Sequence, residues 1–86
     1  MAKGTMRYWA AAKAAAGTAE EPYEADTLAE AIAAATLRSG RDGDFTRVVE
    51  RSSFLIDGDP VGTRPHESVP LPEGGVVEVL PPFAGG

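Results

Sequence analysis

The chain has 86 residues, which is enough for one domain with a single hydrophobic core. It contains no cysteine and one histidine, so a zinc finger, a disulfide framework and a thiol nucleophile are excluded. Its net charge of −5 argues against a nucleic-acid partner, since phosphate binding requires a basic face. No apolar run is long enough for a signal peptide or a membrane span. We therefore expect a soluble, cytoplasmic protein without a membrane partner.

The first predicted elements are a strand and a short helix. Residues Thr5–Trp9 alternate and are rich in strand-forming types, with Met6 and Tyr8 on one face. The alanine-rich run that follows favours a helix, and Gly17 is a residue type that commonly ends helices. If Met6 and Tyr8 face the core, Trp9 falls on the opposite face and is exposed.

A second strand and the main helix come next. Thr18–Ala25 is predicted to be an edge strand, because Pro22 cannot donate a hydrogen bond to a strand ladder. Thr27 and Glu30 form a T-x-x-E capping box, which marks the start of a helix, and Gly40 is predicted to end it. The apolar stripe of this helix recurs at helical spacing and comprises Leu28, Ala31, Ile32 and Ala35.

The remaining elements are a loop, a hairpin and a final strand. Residues 41–53 are polar with a few apolar side chains, and we expect a loop with a short helical turn there. Residues 54–61 are typical of a hairpin that turns at Asp57-Gly58. Val76–Leu80 has the strongest strand signal of the chain, with alternate valines on one face.

This order of elements predicts the α+β class. Residues 1–80 are expected to form one domain, with a sheet of four or five strands packed on one main helix. Residues 81–86 fall outside the core pattern and form a separate tail. His66 stands alone in a proline-flanked loop, and we expect it to be solvated rather than catalytic. The two acids of the DGDP stretch are too few for a metal site, so no bound metal is expected.

The last six residues, PPFAGG, differ in character from the domain. Pro81 and Pro82 cannot continue a strand ladder and favour an extended course away from the domain. Phe83 suits a pocket on a partner, and Gly85 and Gly86 lack a Cβ, so their backbone can enter a narrow slot. The alternative is a chance or disordered ending in a chain that has 10 glycines.

The group at the end of this sequence is the α-carboxylate of Gly86. With an ordinary pKa of about 3.3–3.7 it is ionised at neutral pH, and an ionised carboxylate is a poor acyl electrophile. Chemistry at this group requires an enzyme that activates it, for instance as an acyl-adenylate made from ATP. The sequence therefore favours a carrier group at Gly86 that a partner protein energises.

Three stretches together resemble a known family: MRYWAAAKAAAG near the start, FLIDGDPV in the middle and EGGVVEVLPPFAGG at the end. Over essentially its whole length the chain is similar to the ubiquitin-like sulfur carriers of the MoaD/ThiS group, and most similar to the small subunit of molybdopterin synthase. The Pro-Pro before the glycines is the most specific feature, because carriers for thiazole synthesis usually lack it.

The resemblance implies a ubiquitin-like β-grasp fold and a carrier without catalytic activity of its own. A ubiquitin-activating-like adenylyltransferase would use ATP to adenylate Gly86, and a separate persulfide donor would supply sulfur to form a thiocarboxylate. The tail would then enter the large synthase subunit, which passes the sulfur to a pterin precursor of the molybdenum cofactor. No cofactor is expected to be bound on the chain. The tail residues expected to contact partners are Pro81, Pro82, Phe83, Ala84 and Gly85.

The same ending fits other functions. The chain resembles sulfur carriers for thiazole, cysteine or sulfur-containing natural-product synthesis as well. It also fits a ubiquitin-like modifier whose Gly86 is joined to lysines of target proteins, or a non-covalent interaction module with an inert tail. Trp9 has two interpretations, since it either forms a docking patch with Phe83 or packs under the tail or first helix of its own domain.

Overall fold

The computed structural model describes residues 1–38, 41 and 43–82. Strands β1 to β5 span Ala2–Tyr8, Glu20–Ala25, Ser53–Ile56, Asp59–Pro60 and Val76–Leu80. Helices α1 to α3 span Ala10–Ala16, Leu28–Thr36 and Gly43–Arg51, and a 3₁₀ turn covers His66–Ser68. This order of elements confirms the predicted α+β class. Among these described helices, none is long and apolar enough to cross a membrane.

The strands of the described residues form one mixed, five-stranded sheet in the order β2-β1-β5-β3-β4. β1 and β5 are parallel, and the other neighbouring pairs are antiparallel. β2 lies at an edge, as Pro22 predicts, because an edge strand tolerates a missing amide proton. In the parallel register Tyr8 lies beside Val79, so β1 and β5 end at the same edge of the sheet.

One face of the sheet carries the core. Met6 and Tyr8 of β1 and Val77 and Val79 of β5 are at most 2% exposed, which confirms the face that the alternation predicts. The helices add further buried side chains to the same cluster: Ala12, Leu28, Ala31, Ala35, Phe45 and Val49. The core therefore lies between the sheet and helices that cover one of its faces.

Helix α3, with nine residues, is longer than the short helical turn predicted within the loop of residues 41–53. Phe45 and Val49 are buried, and Val48 packs against the same core. Their spacing of three and four residues is a helical stripe, but the polar residues Thr46 and Arg47 lie between them and hide it from a search for apolar runs. The predicted helices α1 and α2 are both present, and the structure adds α3, which packs against α1.

Helix α2 confirms the capping box at its start and differs from the prediction at its end. Thr27 Oγ1 accepts a hydrogen bond from the amide of Glu30 at 3.2 Å and donates to Glu30 Oε1 at 3.3 Å. The helix ends at Thr36, earlier than predicted, and Leu37 at this end is 86% exposed. Gly40 lies outside the described residues.

Two leucine-sized positions of α2 should differ in their contribution to stability. Leu28 is fully buried, so Leu28→Ala should lower the free energy of unfolding by about 2–5 kcal/mol. Ile32 is only partly buried, and Ile32→Ala should cost less than half as much because part of its side chain already contacts water. Chemical denaturation of both variants measures the two losses, and equal losses would contradict this difference in burial.

The hairpin turn lies where the sequence predicts it. Asp57 and Gly58 join β3 to β4 with φ of 49° and 86°, the left-handed conformations that a tight hairpin turn requires. The Asp57 carboxylate accepts a hydrogen bond from the amide of Val76 at 2.9 Å, which ties the turn to the start of β5. His66 is partly exposed and packs edge-on against buried Phe54, with ring centroids 5.0 Å apart. Part of its ring is therefore solvated, and its lack of a catalytic role stays a prediction.

Arg41 is a charged residue that the sequence did not single out, although its side chain is only 4% exposed. Its guanidinium donates to both carboxylate oxygens of Glu21 on β2, at 2.6 and 2.7 Å. It also donates to the carbonyls of Ala16 and Ala35, near the C-terminal ends of α1 and α2. One side chain thus satisfies carbonyls that helix ends would otherwise leave without partners.

Candidate functional site

The candidate site lies at the edge of the sheet where β1 and β5 both end. Because these strands are parallel, Trp9 follows β1 at the same end where Leu80 closes β5. The amide of Trp9 donates to the carbonyl of Val79 at 3.2 Å, which fixes this arrangement. Ser53, the first residue of β3, pairs with Leu80 from the other side. The C-terminal segment therefore starts beside Trp9 and the first helix.

The described part of the tail consists of two prolines. β5 ends at Leu80, where the sequence predicts the boundary between domain and tail. Pro81 is half-buried and Pro82 is exposed. The other tail residues for which the sequence predicts a carrier or partner-binding role lie outside the described residues: Phe83, Ala84, Gly85 and Gly86.

A groove of about 540 Å³ lies on the Trp9 side of the prolines, and we name it the indole groove. Its lining consists of Trp9, Ala10, Ala11, Ser53, Leu80, Pro81 and Pro82. Trp9 is 43% exposed, and its indole Nε1 donates to Glu78 Oε1 at 3.1 Å. This hydrogen bond orients the ring and leaves part of its apolar surface open. The structure thus brings Trp9 together with Pro81 and Pro82, while its contact with a partner stays a prediction.

A second groove, of about 450 Å³, lies on the other side of the prolines between α1 and α3, and we name it the helix groove. Its lining consists of Ala11, Ala14, Ala15, Asp44, Arg47, Val48, Arg51, Pro81 and Pro82. Alanines leave space here because their side chains are short, and Val48 adds an apolar wall. Arg47 forms an ion pair with Asp44 across one turn of α3. The sequence does not reveal this groove, because the pattern of residues 41–53 predicts only a short helical turn within a loop where the nine-residue helix α3 lies.

Charge distinguishes the two grooves. Beside the indole groove lies the carboxylate of Glu78, and the nearest cross-strand cation, Arg7, is already paired with Glu20 at 3.0 Å. The helix groove is lined by Arg47 and Arg51, and Asp44, which pairs with Arg47, offsets only one of these two positive charges. A segment with a negative charge is therefore attracted to the helix groove and repelled from the indole groove.

Ala10 begins α1 with φ of 48°, a conformation that strains an L-alanine by about 1–2 kcal/mol. Ala10→Gly should relieve this strain and raise the free energy of unfolding by up to about 1 kcal/mol, after the entropy that glycine adds to the unfolded chain. The matched change Ala14→Gly, inside the same helix, should lower it by about 0.5–1 kcal/mol. Thermal unfolding compares the two variants, and a loss of stability in both would show that Ala10 is not strained.

Within residues 1–38, 41 and 43–82, no group of three or more histidine, aspartate or glutamate side chains is arranged to hold a metal ion. The described side chains that line the two grooves are mostly apolar or small, and the charged ones are Asp44, Arg47 and Arg51. Surfaces of this kind offer apolar area and charge complementarity to protein or peptide segments.

Two comparisons bear on the identity of the chain. The family model described as the ThiS family matches residues 6–86. No curated protein sequence is significantly similar to the chain. The family match covers both grooves, the proline pair and the diglycine, so it includes the whole candidate site.

Solved structures support the same fold. Small archaeal modifier protein 1 from Methanosarcina acetivorans superposes with a TM-score of 0.82 at 20% identity, covering 100% of this chain and 98% of that one. A Pyrococcus furiosus protein proposed to be molybdopterin converting factor, subunit 1, gives 0.74 at 22% identity, covering 96% and 100%. Small archaeal modifier protein 1 from Haloferax volcanii gives 0.74 at 18% identity, covering 98% and 99%. Because the family model spans nearly the whole sequence and these neighbours share its mixed sheet, the chain belongs to the ThiS family of MoaD/ThiS-like, ubiquitin-like proteins and has the β-grasp fold.

Proposed function

We propose that the chain is a sulfur carrier whose Gly86 carboxylate becomes a thiocarboxylate, and that it delivers this sulfur as the small subunit of a molybdopterin synthase. Membership of the ThiS family supports the carrier chemistry. The LPPFAGG ending supports the molybdopterin branch. The catalytic groups belong to two partners, a ubiquitin-activating-like adenylyltransferase and a large synthase subunit.

One observation carries this proposal: the proline pair leaves the sheet between two open grooves. Four residues follow Pro82 in the sequence, and fully extended they reach roughly 13–14 Å at about 3.3–3.6 Å each. With no side chain on Gly85 and Gly86, the carboxylate can enter an enclosed active site while the grooves contact the protein around its entrance.

The proposed chemistry takes place in steps at the Gly86 carboxylate. One carboxylate oxygen bonds to the α-phosphorus of ATP, and pyrophosphate leaves. A persulfide on a donor protein then attacks the carbonyl carbon and displaces AMP, which gives an acyl disulfide. A second thiolate of the donor attacks the donor's sulfur in this acyl disulfide, so that a disulfide forms within the donor and the thiocarboxylate leaves. Because the chain has no cysteine, all these thiols belong to partners.

Intact mass spectrometry tests the proposal directly. A preparation whose mass shows Gly86 as its last residue is incubated with a ubiquitin-activating-like adenylyltransferase, ATP and a persulfide-generating cysteine desulfurase. We expect its mass to rise by the difference between a sulfur and an oxygen atom, and pyrophosphate to be released. Another ThiS-family carrier serves as positive control for the enzymes. If that control gains sulfur and this chain does not, the proposal fails.

Two variants separate the end group from the rest of the tail. Deletion of Gly86 should abolish the mass gain, because the carboxylate of the shorter chain would lie one residue short of the activating site. Ala84→Gly keeps the diglycine and should still gain sulfur. Both should keep the wild-type melting temperature, since the described core lies within residues 1–82. Full sulfur gain after deletion of Gly86 would contradict the assigned role.

The second candidate function is a protein modifier, which the name of the first structural neighbour suggests. It shares the adenylation step and differs in the nucleophile, because a lysine amine of a target protein would displace AMP and form an isopeptide bond. Cell extract added to the activation mixture distinguishes the two. Conjugates of higher mass that carry Gly86 on a lysine would favour the modifier, whereas a thiocarboxylate alone favours the carrier.

A further inference from the structure

The helix groove offers an apolar space directly beside the start of the C-terminal segment. Pro81 and Pro82 line it together with Ala11, Ala14 and Ala15 on one side. Its volume of about 450 Å³ is larger than one aromatic side chain, and the alanine methyl groups provide an apolar floor. The next residue in the sequence, Phe83, is the large apolar side chain that lies nearest to this space along the chain.

Charge indicates which groove suits the end of the chain. In a chain that ends at Gly86, the α-carboxylate of this residue carries a negative charge at neutral pH. Arg51 lines the helix groove, is exposed, and has no hydrogen-bond or ion-pair partner among the residues that the structure describes. In the indole groove the carboxylate would instead approach Glu78, whose charge has the same sign. Attraction at one groove and repulsion at the other favour the helix groove.

The distances along the chain allow this contact. Four residues beyond Pro82 span at most roughly 13–14 Å. This reach is about the length of the nine-residue helix α3 that borders the groove. Arg47 and Arg51 are one turn apart on α3, so their guanidinium groups lie along the same side of the groove. Asp44 pairs with Arg47, which leaves Arg51 as the stronger site for a carboxylate.

We propose that the helix groove binds the chain's own C-terminal segment, residues 83–86, with Phe83 among the alanines and the terminal carboxylate at Arg51. The docked segment withholds the carboxylate from enzymes until a partner competes for the chain. Its apparent affinity for such a partner then falls in proportion to the docked fraction. This inference does not depend on sulfur chemistry, since it concerns the free protein alone.

Nuclear magnetic resonance on the full chain ending at Gly86 tests the docking. We expect nuclear Overhauser effects between the Phe83 ring protons and the methyl protons of Ala11, Ala14, Ala15 or Val48. Phe83→Ala should then shift those methyl resonances, because the ring current of the docked aromatic ring disappears. Contacts from Phe83 to Trp9 or Leu80 instead, or no contacts at all, would overturn the proposal.

Arg51→Gln is the variant that tests the charge contact, and Lys13→Gln is its matched control. Arg51→Gln should lower the ratio of docked to undocked chains by about two- to five-fold, the effect of one exposed ion pair. Lys13 is an exposed cation on α1 that does not line the groove, so its removal should leave the contacts unchanged. Equal effects of both substitutions would show that only the net charge matters and would overturn the role of Arg51.

A mixed sample separates docking within one chain from docking between two. Equal amounts of ¹³C-labelled and unlabelled chain are combined, and contacts between labelled and unlabelled molecules are selected. We expect none and expect the Phe83 contacts to persist on dilution; contacts between molecules would show that a second copy occupies the groove and would overturn the proposal. Absence of docking together with normal thiocarboxylate formation would refute this inference and leave the proposed function intact. Docking without thiocarboxylate formation would support this inference and refute the proposed function.

Discussion

Gly4→Ala should destabilise the domain strongly, although it adds only one methyl group. A Cβ at Gly4 would overlap the carbonyl oxygen of Gly75 and the ring of Tyr23, its cross-strand neighbour. Overpacking costs about 1–3 kcal/mol, and loosening the two backbone hydrogen bonds beside Gly4 adds about 1 kcal/mol each, so we expect a loss of roughly 3 kcal/mol or more. The melting temperature should fall by roughly 12–24 °C.

Neither neighbour of Gly4 can move aside easily. The Gly75 carbonyl accepts the amide of Thr5 at 2.9 Å, and the amide of Gly74 donates to the carbonyl of Lys3 at 2.6 Å. The Tyr23 ring is 3% exposed, and its hydroxyl donates to a backbone carbonyl. These hydrogen bonds begin the parallel pairing of β1 with β5. Displacing them would disturb the register that brings the C-terminal prolines beside α1.

The control for Gly4→Ala is the same substitution in open space. At Gly43 the nearest atom to a new Cβ is Arg47 Nη1 at 3.7 Å, an ordinary contact. Gly43→Ala at the start of α3 should therefore be neutral or stabilising by up to about 1 kcal/mol, since alanine favours helices. Guanidinium unfolding of both variants gives the comparison. A Gly4→Ala protein within about 1 kcal/mol of wild type would show that the strands do not close over this residue.

Elements whose signals are local could be predicted from the sequence. The capping box at Thr27, the glycine that ends α1 and the Asp57-Gly58 turn each depend on residues a few positions apart. The full length of helix α3 could not be predicted beyond a short helical turn, because only three apolar residues mark it and its stability comes from packing on α1. The partial exposure of Ile32 likewise depends on which neighbours cover the helix, and spacing alone does not reveal them.

The same distinction applies to the candidate site. Trp9 and the proline pair could be found from composition, because an exposed tryptophan and a rigid apolar segment are unusual on a surface. Their proximity follows from the parallel pairing of β1 with β5, which joins residues about seventy positions apart. The helix groove depends in addition on the packing of α1 against α3. Long-range pairing of this kind leaves no local pattern in the sequence.

Glu21→Gln should lower the free energy of unfolding by about 3–5 kcal/mol, because it leaves the buried charge of Arg41 without its counter-charge. Glu21 is 9% exposed in its side chain and binds the guanidinium through both oxygens, while the hydroxyl of Tyr8 donates to it as well. The guanidinium also lies 4.6 Å from the centre of the Phe45 ring. Thermal and chemical unfolding at pH 7 measure the loss.

The control is the same substitution one residue earlier. Glu20 on the same strand pairs with Arg7 in water, where both side chains are 40% exposed or more, so Glu20→Gln should cost at most about 1 kcal/mol. A second comparison replaces both partners, since Glu21→Leu with Arg41→Met removes the unpaired charge and should recover part of the loss. Similar losses for Glu20→Gln and Glu21→Gln would mean that burial does not strengthen the Glu21–Arg41 pair.

The pH dependence of stability follows from two groups that can lose a proton beside Arg41, the carboxyl group of Glu21 and the phenol of Tyr8. Burial alone would raise the pKa of Glu21, but the hydrogen bonds from Arg41 and Tyr8 outweigh burial and hold it below its ordinary value. Its contribution is therefore complete above the unfolded pKa of about 4.3 and is lost as the pH falls through the lower folded pKa. The gap in melting temperature between wild type and Glu21→Gln should thus narrow in acid.

Tyr8 acts in the opposite pH range. Burial, together with its hydrogen bond to Glu21, raises the Tyr8 pKa above the ordinary value of about 10. The stability that this phenol contributes is complete below that pH and is lost as the pH rises through the raised folded pKa. Tyr8→Phe removes the hydroxyl and should flatten the alkaline limb of the stability curve, leaving the acid limb that Glu21 produces. If Tyr8→Phe leaves the alkaline limb unchanged, another group causes that limb. If Glu21→Gln leaves the acid limb unchanged, the Glu21 carboxylate is not the cause of the loss of stability in acid.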